Sequence, residues 1–93
     1  MHSKQMKQLI TERPKLGTAL VANEIRLRKT LKKARNDQGL TIVNVAGKLG
    51  WNVQKVMDIE SITEDIRFSD LRAYMLAIDC WVDFQVRPSK ALP

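Results

Sequence analysis

The stretch from Thr41 to Glu60, TIVNVAGKLGWNVQKVMDIE, limits the available folds more than any other part of the chain. Ile42, Val45, Ala46 and Leu49 recur at i, i+3, i+4 and i+7, the spacing of one face of a short amphipathic helix. Thr41 stands where its hydroxyl can cap the first turn. Gly50 ends the helix, Trp51 fills the turn, and Asn52 is placed to cap a second short helix. In that second helix Val56 and Ile59 form an inward face. Val53, Gln54, Lys55, Met57 and Asp58 occupy the rest of its surface.

The flanks supply longer partners. Between Ala22 and Asp37, Leu27, Leu31 and Ala34 fall on one helical face, and lysines and arginines largely fill the other. Gly39 is a natural stop. After the charged loop ITEDIRF, Ser69 and Asp70 are suited to a helix start, as cap and first-turn acid. Leu71, Tyr74, Met75 and Ile78 then form a closing amphipathic helix. Upstream, residues 3–12 have a helical pattern that Ser3 would cap, and Pro14 and Gly17 interrupt it. The expected organisation is a basic N-terminal arm over 1–21, a helical domain over 22–79, a dimerisation strand over 80–88 and a tail over 89–93.

The strand expectation rests on a change of period. In CWVDFQVRP, Val82, Phe84 and Val86 alternate with Trp81, Asp83 and Gln85, which is period two. A lone strand leaves its backbone groups unsatisfied. No second strand is legible in the chain, so the simplest partner is the same segment of another copy across a two-fold axis. An added strand from a different protein would also serve, and an irregular tail laid on the helical core is the alternative.

Composition removes several function classes. Ninety-three residues suit one small domain. No apolar run approaches the roughly 18 to 20 residues that span a bilayer, and the N-terminus lacks a signal-peptide stretch. A cytoplasmic protein without a membrane partner is the expectation. The single cysteine, Cys80, and single histidine, His2, provide no metal-ligand spacing and no cofactor motif. Neither metal, cofactor nor enzymatic activity is expected.

The net charge of +6 invites a polyanion. Residues 1–38 hold ten Lys/Arg against three Asp/Glu, whereas residues 39–67 hold three against four. The positive charge therefore sits ahead of the two short helices.

Two short helices joined through LGWN, with a helix before and another after, describe a helix-turn-helix core. From Leu31 to Val86 the chain resembles the Xre/Cro-type helix-turn-helix family of bacterial and phage regulators. LKKARNDQGLT is similar to that family's first helix and Gly-Leu-Thr junction. VAGKLG is similar to its Leu-Ala-x-x-Leu-Gly helix, and WNVQKVMDIE to its recognition segment. DLRAYMLAIDCWVDFQVRP resembles the closing helix and C-terminal strand of HigA-type and HipB-type antitoxins.

The resemblance implies a mainly α, lambda-repressor-like bundle of four to five helices, with a short C-terminal strand pairing across a dimer. It implies a structural ion pair between Arg35 and Glu60. It also implies a nucleoid-associated repressor that binds a palindromic double-stranded operator as a homodimer. In the antitoxin branch a cognate toxin is a further partner. The family's usual glutamines are replaced here by Ile42 and Val53, and Asp58 stands where a basic or polar residue is common.

On that reading, Gln54 is suited to pair with adenine, and the methyls of Val53 to pack on a thymine methyl. Asn44, Lys55 and Lys48 would meet phosphates. Thr41 and Asn52 hold the helix starts, and Met57 shares the outward face. Lys4, Lys7, Arg13 and Lys15 would follow the DNA backbone or a minor groove. Arg28, Lys29, Lys32 and Lys33 would face solvent or a partner. A solvated helix face would carry the same residue types. A prophage regulator without a toxin, and a helix-turn-helix scaffold serving as a protein-binding adaptor, are the competing functions. The positive charge of the chain weighs against an equally basic toxin.

Overall fold

A computed structural model describes residues 4–93 and shows a mainly α protein. Its helices are α1 (Lys4–Glu12), α2 (Pro14–Asp37), α3 (Ile42–Leu49), α4 (Val53–Glu60) and α5 (Phe68–Ala77), followed by a 3-10 turn at Ser89–Ala91. His2 and Ser3, the latter expected to cap α1, lie outside the described residues. No helix among the described residues is long and apolar enough to cross a membrane.

The core is small and collects one or a few residues from each of four helices. Leu31 comes from α2, Val45 and Ala46 from α3, Val56 and Ile59 from α4, and Leu71, Tyr74 and Ala77 from α5; Ile78 follows directly. These are the apolar positions of the helical periods, so burial of one stripe per helix drives the packing. Leu27 and Ala34 are half-buried at its edge. The fully covered stripe of α2 is Arg28, Leu31 and Arg35, which puts two guanidinium groups inside.

Three helices end in the same way. Gly39 (φ 71°) follows α2, Gly50 (φ 67°) follows α3, and Asp79 (φ 55°) follows α5. The left-handed residue turns the next N–H back onto the helix. Leu40 donates to the Arg35 carbonyl, Trp51 to Ala46, and Cys80 to Met75. These bonds satisfy carbonyls that a helix end otherwise leaves open.

The N-terminal boundary differs from the sequence expectation. α2 does not start near Ala22. Pro14 occupies its first position, where the missing N–H costs nothing, and the helix then runs without interruption through Gly17. Only Arg13, non-helical before the proline, separates α1 from α2. A Cβ on Gly17 would come within 3.3 Å of Ile10 Cγ2, so this glycine lets α1 lie close against α2. α1 buries no residue, and α2 buries none before Arg28. Met6, Leu9, Ile10, Leu20 and Val21 are exposed along this arm.

α5 also begins earlier than expected. Arg67 is its N-terminal boundary residue and Phe68 opens the helix, so Ser69 lies inside the first turn and caps nothing. Asp70 keeps its place in that turn, where it faces the positive end of the helix dipole.

Residues 81–88 form no regular secondary structure in the single chain. Among the described residues, the N–H groups of 81–87 donate to no group of the chain. Val82 packs on the edge of the core, while Phe84 and Val86 are exposed.

Candidate nucleic-acid interface

α3 and α4 are each begun by a side chain that the sequence places one residue ahead of the helix. Thr41 Oγ1 accepts from the Asn44 N–H at 3.0 Å, and Asn44 Oδ1 accepts from the Thr41 N–H at 2.9 Å. This is a reciprocal capping box with asparagine in the position that glutamate or glutamine usually fills. Asn52 Oδ1 accepts from the Lys55 N–H at 2.8 Å. In both helices the first two N–H groups remain available to an acceptor from outside. Such helix starts favour anionic oxygens.

Apart from the two lysines, the sequence-predicted residues divide into two sets. Thr41, Asn44 and Asn52 stand at the helix starts, and Val53, Gln54 and Met57 form an exposed outer face of α4. On that face Gln54 Nε2 donates to Asp58 Oδ1 at 2.9 Å, which fixes the carboxamide and occupies the acid.

The two lysines are engaged elsewhere. Lys48 Nζ donates to the Ala77 carbonyl at 3.2 Å, at the C-terminus of α5, where a cation complements the dipole. Lys55 Nζ lies 3.3 Å from Asp70 Oδ1 and 4.4 Å from the centre of the Trp51 ring. Each ammonium keeps donors beyond these contacts, so the lysines are tethered to α5 without being closed to a phosphate.

The base of α4 is held by two arginines of α2. Arg35 Nε and Nη2 donate to Glu60 Oε2 and Oε1 at 2.6 and 3.0 Å, and its Nη1 donates to the Leu40 carbonyl at 2.7 Å. Tyr74 Oη donates to Glu60 Oε2 at 2.6 Å. Burial raises the Tyr74 phenol above its ordinary range, and the adjacent carboxylate raises it further. The bond to Glu60 likewise raises Arg35, against a smaller opposing effect of burial.

Arg28 was expected to face solvent or a partner and is instead 1% exposed. Its Nη1 donates to the Ser61 carbonyl and reaches the Asp58 carbonyl at 3.5 Å, while its Nη2 pairs with Glu24 at 2.8 Å. A guanidinium at the last carbonyls of α4 satisfies them and complements the helix dipole. Residue spacing carried a signal for this: Arg28, Leu31 and Arg35 lie at i, i+3 and i+7, on one face. Gln38 was also missed; its Nε2 donates to the Ile78 carbonyl at 2.6 Å and so closes α5.

Among the described residues, exposed cations engaged neither in an ion pair nor by another helix lie on the arm and the outer side of α2, at Lys4, Lys7, Arg13, Lys15, Arg26, Lys29 and Lys32, and beyond α4 at Arg67, Arg72, Arg87 and Lys90. Lys33 is paired with Asp37 at 2.7 Å. Among the described residues no cluster of His, Cys, Asp or Glu has a metal-binding arrangement. Comparison of the chain with known protein families, characterised proteins and solved structures finds no match.

Proposed function

We propose that this protein is a sequence-specific DNA-binding repressor of the Xre/Cro-type, lambda-repressor-like class, acting as a homodimer. The observation that carries the reading is the α3–α4 pair. Two capped helix starts leave backbone N–H groups for phosphates, and the outer face of α4 stays free of the core. In the helix-turn-helix mode the second helix enters the major groove, and the first crosses the backbone. Affinity then comes mainly from the arm, because phosphate neutralisation dominates it and the single ammonium of α4 is shared with Asp70 and Trp51.

The dimer follows from the C-terminal segment. Seven residues whose N–H groups bond nothing within the chain, alternating in polarity, pair with the same segment of a second copy as a two-stranded ribbon. Two recognition helices then meet half-sites about one helical turn apart on a palindromic operator.

Within this reading the protein is an antitoxin that represses its own operon. The arm and the C-terminal segment exceed a minimal DNA-binding domain, and a groove of about 960 Å³ between α2, the start of α5 and residues 80–85 offers a toxin an apolar seat. Co-expression with the product of the neighbouring gene followed by size exclusion should give a complex; separate elution removes the antitoxin assignment.

The reading is tested by fluorescence anisotropy against the duplex upstream of the gene and a scrambled control, at two salt concentrations. A preference of about a thousandfold or more is expected. A second reading, a protein-binding adaptor on the same scaffold, is favoured by the engagement of Lys48 and Lys55 away from α4's outer face. It predicts equally weak, salt-sensitive binding to both duplexes.

A further inference from the structure

The outer face of α4 has an unusual chemistry for a helix assigned to a DNA groove. Val53 and Met57 are one turn apart and so share a face; they are 39% and 45% exposed. Gln54 and Asp58 form the adjacent row and are bonded to each other. The nearest cation on the helix, Lys55, is held by Asp70 and Trp51. The face is thus an apolar strip beside one carboxamide bonded to its neighbouring acid, and the one cation of the helix is drawn toward α5 and Trp51.

An apolar strip gains nothing from the edge atoms of a G·C pair. The apolar group that B-DNA presents in its major groove is the C5-methyl of thymine. 5-Methylcytosine carries a methyl on the same ring carbon. Gln54 fits the same pattern. With Nε2 turned to Asp58, its Oε1 is left as an acceptor, suited to the exocyclic amino group of adenine or cytosine. An adenine brings a thymine methyl on its partner, and a 5-methylcytosine carries amino group and methyl on one base.

From this we infer that α4 selects its half-site through pyrimidine C5-methyl groups packed on Val53 and Met57, with Gln54 reading the neighbouring amino group and Asp58 positioning Gln54. The inference rests on the DNA-binding reading and names what that surface recognises.

The experiment starts with selection of preferred duplexes from a random pool by the full-length chain. Each thymine of the selected site is then replaced by uracil, which deletes the methyl alone. Affinity should fall about fourfold per contacted methyl, at one or two positions in each half-site. The Val53→Ala and Met57→Ala proteins, altered at exposed positions, should lose most of that thymine–uracil difference. Where the selected site has cytosine at the sensitive position, 5-methylcytosine should raise affinity by a similar factor, which identifies the modified base as the source of the methyl. A selected site indifferent to uracil and to 5-methylcytosine overturns the inference and leaves the repressor intact. Selection that enriches no sequence overturns both.

Discussion

Arg35 grips both carboxylate oxygens of Glu60, and the second of these oxygens also accepts from Tyr74. Both charged side chains are 5% exposed. The cluster ties α2, α4 and α5 together at the end of α4 remote from its cap. Removing one member leaves a buried charge unpaired, which is costlier than replacing the whole pair. Glu60→Ala should therefore destabilise the fold by about 3 to 5 kcal/mol in urea unfolding. A loss under about 0.5 kcal/mol would show that the pair contributes little beyond surface electrostatics.

Tyr74 supplies a pH signature. It is the chain's only tyrosine, so tyrosinate absorbance reports on one site. Its phenol ionises above the ordinary value of 10.0 in the folded state, so the unfolded chain releases this proton first. The stabilisation is complete below pH about 10 and diminishes as pH rises above it. Tyrosinate absorbance should appear together with loss of helical circular dichroism. Ionisation near 10 with the helices intact would contradict the buried placement.

Arg28 should act as a brace for α4. Arg28→Met keeps much of the packing and removes the donors, so the Ser61 carbonyl loses its partner. The expected cost is about 1 to 3 kcal/mol in chemical unfolding. Arg28→Lys should restore little, because a single ammonium cannot reproduce the fork that reaches Glu24 and the α4 carbonyls together. Full rescue by lysine would mean that charge alone matters there.

The two helix starts should be separable. Thr41→Ala and Asn52→Ala should each cost about 1 kcal/mol of stability, and the double variant should lose nearly the sum if the caps act independently. On the proposed DNA-binding reading each variant should also bind DNA more weakly than its stability explains, since the helix starts frame the N–H groups assigned to phosphates.

Phe84→Pro tests the ribbon. Proline removes one N–H from the ladder and is poorly tolerated within paired strands. Light scattering should show a dimer becoming a monomer, with helical content unchanged. A dimer of undiminished stability would place the interface elsewhere.

What was legible in the sequence was local. Thr41, Gly50 and Asn52 act within one turn of their own position, so residue type and spacing were enough to place α3, α4 and the bend between them. Where two local rules competed, the reading failed. Pro14 reads as a break and equally as a first helical residue, and Ser69 suits a cap but lies after the point where α5 begins. Long-range partners were least legible. Spacing placed Arg28 on the α2 face that becomes buried, yet its partners at the end of α4 are set only by the packing of the helices. The contacts of Lys48 with Ala77 and of Lys55 with Asp70 arise in the same way, from the packing of α5.

The central claim, that the starts of α3 and α4 face the nucleic acid, is tested most directly by amide NMR of the labelled protein titrated with its preferred duplex. The account predicts that the backbone N–H resonances of Ile42, Val43, Val53 and Gln54 shift most, with smaller changes along the basic arm. Shifts confined to α1, the first half of α2 or residues 81–88, with α3 and α4 unmoved, would contradict it.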